Sequence, residues 1–260
     1  MNSRIFAWLG AALMCFGWNA PTLADEVDVG RGARPVTLGL GVLYKDQPYK
    51  GVDDEDKTQL FPLILWEGKR FFFRADTFGF KLIENGPWEI APIITFGDEG
   101  YDAGDSDDLD GMDDRDPWIG AGAHVIWQPA KFGLKLTGTG DIADESNGGR
   151  FQGEGFYESG RGNWFYRGAA TAEWVSEGYN QYYFGVERKE EIPGVRPVYR
   201  PSDGTNFHLG GSVGYTMGKW LFIGVAKYTW FDDEVDDSPI TDDDQMVTLG
   251  IGFGYTFGGG

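Results

Sequence analysis

Two short segments of this 260-residue sequence have residue spacings that occur in metal-binding or catalytic loops. Residues 106–111, SDDLDG, have the spacing of a calcium-binding loop, in which carboxylate oxygens recur at alternate positions. Ser106 stands where such a loop has its first aspartate, and Pro117 stands where it has a bidentate glutamate. We therefore interpret this segment as a solvated acidic loop and predict no metal site there.

The second segment, GGSVG at residues 210–214, matches the elbow that presents the nucleophilic serine of some hydrolases, and His208 lies two residues before it. That elbow needs a sharp turn between a strand and a helix. The alternation of residues 206–216 instead predicts a continuous strand, which places Ser212 on its polar face. The other histidine, His124, is isolated. The sequence thus predicts no catalytic, cofactor-binding or metal-binding residue, and a protein that is not an enzyme.

A third set of residues consists of charges that fall on the polar faces of predicted strands. Because buried charges must be paired, these residues indicate either a lumen filled by salt bridges or a narrow polar pore. Both interpretations stay open, since the sequence does not give the cross-strand register. The candidate lumen charges are Lys45, Lys135, Glu154, Arg167, Glu173, Glu187 and Lys227.

The elements that must position these residues are strands, because no convincing amphipathic helix follows residue 35. Apolar and polar residues alternate in segments close to the ~10 residues with which a tilted strand crosses a bilayer. Turn-forming residues such as Asn85-Gly86-Pro87 separate the segments. Strands are predicted over 36–45, 58–66, 70–83, 88–96, 117–127, 132–141, 150–157, 163–174, 180–187, 206–216, 219–231 and 246–257.

The two faces of these strands differ in a way that is typical of membrane barrels. In residues 246–257, bulky apolar side chains alternate with glycine and threonine. A soluble sandwich also alternates, but here aromatic residues cluster at strand ends, where the girdles of a membrane barrel lie. These aromatic residues are Tyr44, Trp88, Phe96, Trp118, Trp127, Trp164, Trp174, Trp220, Trp230 and Phe257.

The predicted fold class is all-β, a closed antiparallel transmembrane β-barrel of about 12 strands, with 10 or 14 strands as alternatives. Backbone groups in lipid must be paired within the protein, so strands at this depth must close on themselves. The predicted location is the cell outer membrane of a Gram-negative bacterium, and outer-membrane lipid is one expected partner.

The N-terminal residues predict export. A positive start with Arg4, an apolar run and small residues before Asp25 are typical of a secretory signal peptide. The predicted organisation is a signal peptide at 1–24, a periplasmic segment at 25–35, the barrel at 36–257 and a tail at 258–260.

Charge and cysteine content narrow the function further. The formal net charge of −19 disfavours binding of nucleic acid through a positive surface. Acidic residues concentrate in residues 53–56, 98–116 and 232–244. The single cysteine, Cys15, lies in the predicted signal peptide, so neither disulfides nor thiol catalysis are expected.

Several local patterns follow one another along the chain: Pro48-Tyr49-Lys50-Gly51, Leu109-Asp110-Gly111-Met112-Asp113-Asp114-Arg115, YNQYYFGV from Tyr179 to Val186, Asp237-Ser238-Pro239-Ile240 and the closing Gly254-Tyr255-Thr256-Phe257. Taken in this order, they resemble the MltA-interacting protein family (MipA/OmpV) of Gram-negative outer membranes. The chain departs from the usual pattern in that three glycines follow Phe257, where outer-membrane barrels end on an aromatic residue. The family-motif residues are Tyr49, Gly51, Tyr183, Phe184, Gly185, Asp237, Ser238 and Pro239.

The resemblance implies a scaffold without enzymatic activity or cofactor, whose partners are a lytic transglycosylase and a penicillin-binding murein synthase. Other family members are described as porin-like or adhesion-related. The alternative function is therefore a narrow porin-like channel for small polar or cationic solutes, since an acidic mouth favours cations.

The predicted strand order has one consequence for loop placement. With both chain ends in the periplasm, loops 46–57, 188–205 and 232–245 face outside, whereas loop 97–116 faces the periplasm. Long periplasmic loops are unusual, so either a strand before this loop is miscounted or the loop contacts a periplasmic partner. The candidate contact residues are Asp110, Met112, Asp113, Asp114 and Arg115, with Arg115 pairing to Asp113 or Asp116.

Overall fold

The computed structural model describes three parts of the chain, residues 35–52, 57–97 and 99–258. The predicted signal peptide at 1–24, nearly all of the predicted segment 25–35 and the last two glycines lie outside the described residues. The described residues form one sheet of 13 strand segments, and every paired segment is antiparallel to its neighbour.

The strand segments and helices have the following bounds. The strands are β1 (Val36–Lys45), β2 (Thr58–Glu67), β3 (Phe71–Arg74), β4 (Thr77–Phe80), β5 (Ile83–Asn85), β6 (Trp88–Phe96), β7 (Ile119–Trp127), β8 (Phe132–Asp141), β9 (Gly149–Arg161), β10 (Trp164–Val175), β11 (Gly204–Met217), β12 (Trp220–Trp230) and β13 (Gln245–Phe257). The helices are α1 (Glu177–Phe184) and α2 (Asp233–Asp236), preceded by 3-10 turns at Ala103–Asp105 and Asp107–Leu109.

The sheet closes into a barrel because β4 pairs with β6. Thr77 lies opposite Thr95, and further along β6 the partner of Ile90 is Ile83 of β5. β4 and β5 thus act as one interrupted strand against β6, which gives a closed antiparallel barrel of 12 strands. The predicted fold class and strand number are confirmed.

Two prolines occupy the positions where a neighbouring strand is missing. Ile64 O accepts a hydrogen bond from Ala75 N at 3.2 Å, so the backbone N and O atoms of Ile64 face β3. Backbone groups two residues apart in a strand face the same side, so the backbone N of Pro62 faces this side as well. By the same alternation, Pro92 of β6 faces the interruption between β4 and β5. A proline has no N–H to donate, so it fits a strand edge without a partner.

One error in the predicted strands lies between residues 70 and 83. The predicted strand 70–83 is two antiparallel strands, β3 and β4, joined by a turn in which Ala75 has a φ of 56°. No glycine or proline marks this turn, and its signals are Asp76 and a change of phase, since the inward residues are even-numbered up to Asp76 and odd-numbered from Thr77.

The second error concerns residues 180–187, which were expected to form a strand. They lie largely in helix α1, which begins after Ser176, whose Oγ accepts a hydrogen bond from Tyr179 N at 3.4 Å. A serine in this position stabilises a helix start by satisfying a free backbone donor. Neither described helix has the length and apolar run needed to cross a membrane. Because the two errors compensate, the strand count is unchanged.

The connections fall into two classes at opposite ends of the barrel. One end, called the turn end, has the short turns 68–70, 86–87, 128–131, 162–163 and 218–219. The other end, called the loop end, has the long connections 46–57, 97–118, 142–148, 176–203 and 231–244.

The extra strand in residues 70–83 changes the placement of loop 97–116. It lies at the loop end with the other long loops, so its expected position opposite them is wrong, and the alternative that a strand before this loop is miscounted is confirmed. Outer-membrane barrels have short periplasmic turns and longer extracellular loops, which assigns the loop end to the cell exterior.

The two barrel faces differ as the sequence predicts. On β13, Ile251 is 70% exposed on the outer face, whereas Thr248 on the inner face is 1% exposed. The inner glycines make room for aromatic rings of neighbouring strands. A Cβ on Gly214 would lie 1.7 Å from the Phe165 ring, and one on Gly133 would lie 2.3 Å from the Phe156 ring. The glycine-rich face therefore allows large rings to pack inside the lumen.

Aromatic pairs line the outer surface near the turn end, as a membrane girdle requires. The ring centroids of Trp88 and Trp127 are 6.3 Å apart, and those of Trp220 and Tyr255 are 5.1 Å apart. Trp118 does not belong to a girdle, because it is 2% exposed and packs among the loops.

We expect the variant Ile251→Arg to lower the free energy of unfolding in lipid vesicles by ~2–4 kcal/mol, because the outer face meets hydrocarbon near the middle of the strand. The matched control is Val195→Arg, which changes an exposed loop residue and should leave stability unchanged. Denaturant unfolding followed by tryptophan fluorescence measures both values. Equal stability of the two variants would contradict a lipid-facing Ile251.

Candidate functional site

The loop end is closed by a packed unit, here called the loop cap, which is formed by loops 46–57, 97–118, 176–203 and 231–244. These four loops share one apolar core, so they are not independent flexible segments. The buried members of this core are Tyr49, Tyr101, Leu109, Met112, Trp118, Val175, Tyr179, Tyr183, Phe184, Val186, Val235 and Ile240.

The family-motif residues, which are far apart in the sequence, meet in the loop cap. Tyr49 stacks on Phe184 with ring centroids 5.8 Å apart. Ser238 Oγ donates a hydrogen bond to Phe184 O at 2.7 Å, and Lys50 Nζ donates to Pro239 O at 3.0 Å. Motifs from three loops thus build one contact. The other motif residues in these loops are Gly51, Tyr183, Gly185 and the exposed Asp237.

Gly51 is required by the close approach of loops 46–57 and 97–118. Its φ is 68°, and a Cβ there would lie 2.5 Å from Ser106 Oγ. Ser106 Oγ donates a hydrogen bond to Lys50 O at 2.7 Å and accepts one from Asp108 N at 3.0 Å. Ser106 therefore joins two loops, which is a structural role in place of a metal-binding one.

The calcium-like segment SDDLDG is held by an arginine. Arg196 Nη1 donates to Asp108 O at 2.8 Å, and Arg196 Nη2 donates to Asp110 O at 2.9 Å. Leu109 between them is fully buried in the loop cap. The conformation of this segment is therefore stabilised by the burial of Leu109 and by the hydrogen bonds from Arg196.

Arg115 connects loop 97–118 to loop 176–203. Its Nε donates to Tyr182 O at 2.6 Å, its Nη1 donates to Asp113 O at 3.0 Å, and its Nη2 forms an ion pair with Glu190 Oε1 at 2.8 Å. The predicted pairing of Arg115 with the carboxylate of Asp113 or Asp116 is wrong. The carboxylate partner is Glu190, 75 residues further along the chain.

The five candidate contact residues divide into two groups. Met112 and Arg115 are buried in the loop cap, so they stabilise it and are not free to touch a partner. Asp110, Asp113 and Asp114 are exposed. Their part in binding a partner stays a prediction.

The lumen near the turn end contains a charge cluster centred on Arg74. Arg74 bonds Glu67 through Nε and Nη2, at 3.0 and 2.9 Å, and Glu89 through Nη1 and Nη2, at 2.7 and 2.9 Å. Lys81 Nζ pairs with Glu67 and Glu84, each at 2.5 Å. The carboxylates of Glu67, Glu84 and Glu89 lie close enough to share an ion, but Arg74 and Lys81 already neutralise most of their charge.

A second ion-pair group lies around Arg167. Arg167 Nη2 donates to Glu154 Oε1 at 2.5 Å, and Arg167 Nε donates to Glu158 Oε1 at 3.0 Å. Directly below the loop cap, Arg150 pairs with Glu173 at 2.6 Å and with Glu99 at 2.5 Å. Ion pairs between neighbouring strands therefore occupy the lumen at more than one level.

The remaining candidate lumen charges are placed as follows. Lys45 and Lys135 point inward and are buried, and Lys227 lines an inner cavity. Glu187 lies outside the barrel, in loop 176–203, where it is exposed and pairs with Lys189 at 3.4 Å. The prediction for Glu187 is wrong because it depended on the predicted strand 180–187.

The serine-elbow hypothesis is also resolved by geometry. Ser212 lies in the middle of β11, and its Oγ makes no hydrogen bond among the described residues. His208 instead contacts Thr229 Oγ1 at 3.0 Å and Glu173 Oε2 at 3.2 Å. The serine and histidine thus have separate surroundings.

Among the described residues, the lumen contains a vestibule and a middle chamber. The vestibule, near the turn end, has a volume of ≈560 Å³ and is lined by residues that include Arg74, Glu89, Glu158 and Arg167. The middle chamber has a volume of ≈120 Å³ and is lined by residues that include Lys135, Thr137, Thr139, Glu154 and Glu173.

Sequence reasoning missed four residues that organise these sites. Arg74 and Arg150 fall on inward positions of the predicted strands 70–83 and 150–157, so the alternation rule alone could have found them. Glu190 and Arg196 lie in loop 176–203, where no periodic pattern indicates which charges become buried.

A closed barrel with an apolar outer face, a polar lumen and long loops at one end defines a transmembrane protein of the outer-membrane β-barrel class. The family model described as MltA-interacting protein MipA matches residues 38–257. The chain therefore belongs to this family, and the resemblance noted in the sequence is confirmed.

Individual relatives agree with this assignment. The MltA-interacting protein of Escherichia coli strain K12 is 30% identical over 90% of this chain and 95% of its own length. The putative outer membrane protein YiaT of the same strain is 26% identical over 86% and 92%. OmpV of Vibrio cholerae is 24% identical over 65% of each chain. This protein is accordingly an outer-membrane protein, as predicted.

We expect Arg115→Ala to destabilise the loop cap by ~3–5 kcal/mol, because it leaves the buried carboxylate of Glu190 without its partner. Proteinase K added to intact cells should then cut loops 97–118 and 176–203 much faster. Lys189→Ala is the control, since it removes an ion pair whose side chains are more than half exposed. Equal cleavage of both variants would contradict the bridging role of Arg115.

The loop cap should also loosen in acid. Burial alone would raise the pKa of Glu190, but backbone N–H donors of Asp113 and Glu187 and the Arg115 guanidinium hold that pKa below its usual 4.5. A lowered folded-state pKa contributes stability above the unfolded value, and this contribution is lost as pH falls through the folded value.

Emission from the buried Trp118 should therefore change as pH falls below about 4.5, the ordinary pKa of a glutamate. Glu190→Gln should be less stable than the parent protein near neutral pH and should show a smaller acid transition. An unchanged transition in this variant would assign the acid response to another group.

Proposed function

We propose that this protein is a non-enzymatic interaction protein, which holds murein-remodelling enzymes at the periplasmic side of the outer membrane. The proposal is supported by the family and by a relative whose name states that it interacts with MltA. The partners it names are a lytic transglycosylase and a penicillin-binding murein synthase, as the family resemblance implies.

The observation that carries this proposal is the closure of the barrel. The ion pairs of Arg74, Arg150 and Arg167 occupy the lumen at several levels, and the loop cap covers the loop end with a continuous apolar core. A lumen filled with ion pairs obstructs the passage of solutes and makes the barrel rigid, as a docking platform requires.

A periplasmic enzyme would contact the turn end. The turns there carry Lys69, Arg70, Lys131 and Lys219, all exposed, and no acidic residue. The positive charge of these turns contrasts with the long loops, where acidic residues predominate. Complementary charge speeds association and favours the correct partner, so the contacting surface of the enzyme is expected to be acidic.

The structure thus moves the proposed contact away from Asp110, Asp113 and Asp114. These residues lie at the loop end, which the length of its loops assigns to the cell exterior. In this proposed orientation, these three residues would meet only a partner outside the cell.

We expect a crosslinked pull-down from the native host to enrich a lytic transglycosylase and a murein synthase. Reversing three turn charges, with Lys69→Glu, Lys131→Glu and Lys219→Glu, should reduce that enrichment at least tenfold, because each basic group would then repel an acidic partner. Mass spectrometry with labelled standards measures the ratio.

The matched control reverses two exposed charges at the loop end, Arg188→Glu and Lys189→Glu, and should leave enrichment unchanged. If the loop-end control loses the enzymes while the turn-end variant keeps them, the contact face is the reverse of the one proposed. If no murein enzyme is enriched with the parent protein, the scaffold function itself is wrong.

The second candidate function is a narrow channel, and the two cavities along the lumen favour it. Solutes would pass from the vestibule to the middle chamber only if the ion pairs of Arg167 opened. Steady single-channel conductance of the protein in planar bilayers would support this function, and its absence at all voltages would count against it.

A further inference from the structure

Lys135 is a buried cation in the middle chamber, opposite Glu154 of the neighbouring strand β9. The residue is 9% exposed and lines the chamber. Among the described residues, no hydrogen bond or ion pair joins its Nζ to another group. A charge in this position needs a counter-charge, since isolated buried ions are strongly disfavoured.

The acidic groups that line the same chamber already have partners. Glu154 accepts a hydrogen bond from Arg167 Nη2 at 2.5 Å, and Glu173 accepts one from Arg150 Nη2 at 2.6 Å. Asp76 accepts a hydrogen bond from the hydroxyl of the next residue at 3.0 Å. Each of these three carboxylates therefore already accepts a hydrogen bond from a residue other than Lys135.

Hydroxyl groups accompany Lys135 on the same strand face. Thr137 and Thr139 follow it at alternate positions of β8, so their side chains point into the chamber as well. Neither hydroxyl is hydrogen-bonded to another described residue. One ammonium and two free O–H donors form a set suited to an anion, because all three can donate to it.

The size of the chamber limits what can enter it. Its volume of ≈120 Å³ corresponds to roughly four water molecules at ~30 Å³ each. A halide with one or two waters fits this space, whereas a peptide or a sugar does not. Lys227 and Arg150 also line the chamber and, with Lys135, balance the charge of its three carboxylates, so no excess negative charge attracts a metal cation.

We propose that the middle chamber is a binding site for one small inorganic anion of halide size, held by Lys135 Nζ and the hydroxyls of Thr137 and Thr139. The bound anion gives Lys135 Nζ the direct partner that it lacks among the described residues. This site is independent of the proposed interaction with murein enzymes, since it lies in the lumen and not on the exposed turns.

The direct test is anomalous diffraction from crystals soaked in sodium bromide. The expected result is a bromide peak in contact with Lys135 Nζ, which disappears in crystals of Lys135→Met. Absence of the peak from the parent protein overturns the proposal, as does a Lys135 Nζ bonded to Glu154. A peak that persists in Lys135→Met marks an adventitious ion only and also overturns it.

Thermal unfolding provides a second test that needs no crystals. At constant ionic strength, replacing gluconate, which is too large for the chamber, by bromide should raise the unfolding midpoint of the parent protein, because a ligand that binds the folded state stabilises it. Lys135→Met should not respond, whereas Lys131→Met, which removes an exposed lysine at the turn end, should respond fully. Equal responses of all three proteins would show a general salt effect and contradict the site.

Discussion

The requirement that every backbone polar group in lipid finds a partner within the protein governs this structure. Each unpaired group in hydrocarbon costs several kcal/mol, so the sheet must close. Closure depends on the contact of β4 with β6, although β4 is only 4 residues long and its continuation is interrupted. Pro62 and Pro92 lie where a neighbouring strand is absent, so neither position leaves an N–H without a partner.

Closure creates a second constraint, because the space inside the barrel must be filled. Rings such as Phe156 and Phe165 occupy part of it by lying over inward glycines. Charged groups occupy much of the rest, and Arg74, Arg150 and Arg167 each bind two carboxylates. Breaking such pairs is costly, so the lumen is rigid, and the loop cap extends this rigidity to the loop end. A rigid closed barrel presents its turns in fixed positions, which is what a docking platform requires.

Much of the barrel could be predicted from sequence, because inward and outward residues alternate with a period of two. The alternation of β13 gave the correct lipid-facing and lumen-facing residues. The helix at 177–184 could not be predicted, because its tyrosines and phenylalanine also suit a strand and its helical state depends on packing in the loop cap. The pairing of Arg115 with Glu190 depends on tertiary contacts between loops, which have no sequence period.

The proposed docking face depends on one orientation of the barrel, with the loop cap outside the cell and the turn end facing the periplasm. Single-cysteine labelling tests it most directly, with a membrane-impermeant maleimide applied to intact cells. Asp110→Cys, at the exposed surface of the loop cap, should be labelled, whereas Gly162→Cys, in a turn between β9 and β10, should be labelled only after the outer membrane is permeabilised. Labelling of Gly162→Cys in intact cells, with protection of Asp110→Cys, would contradict the orientation and with it the proposed docking face.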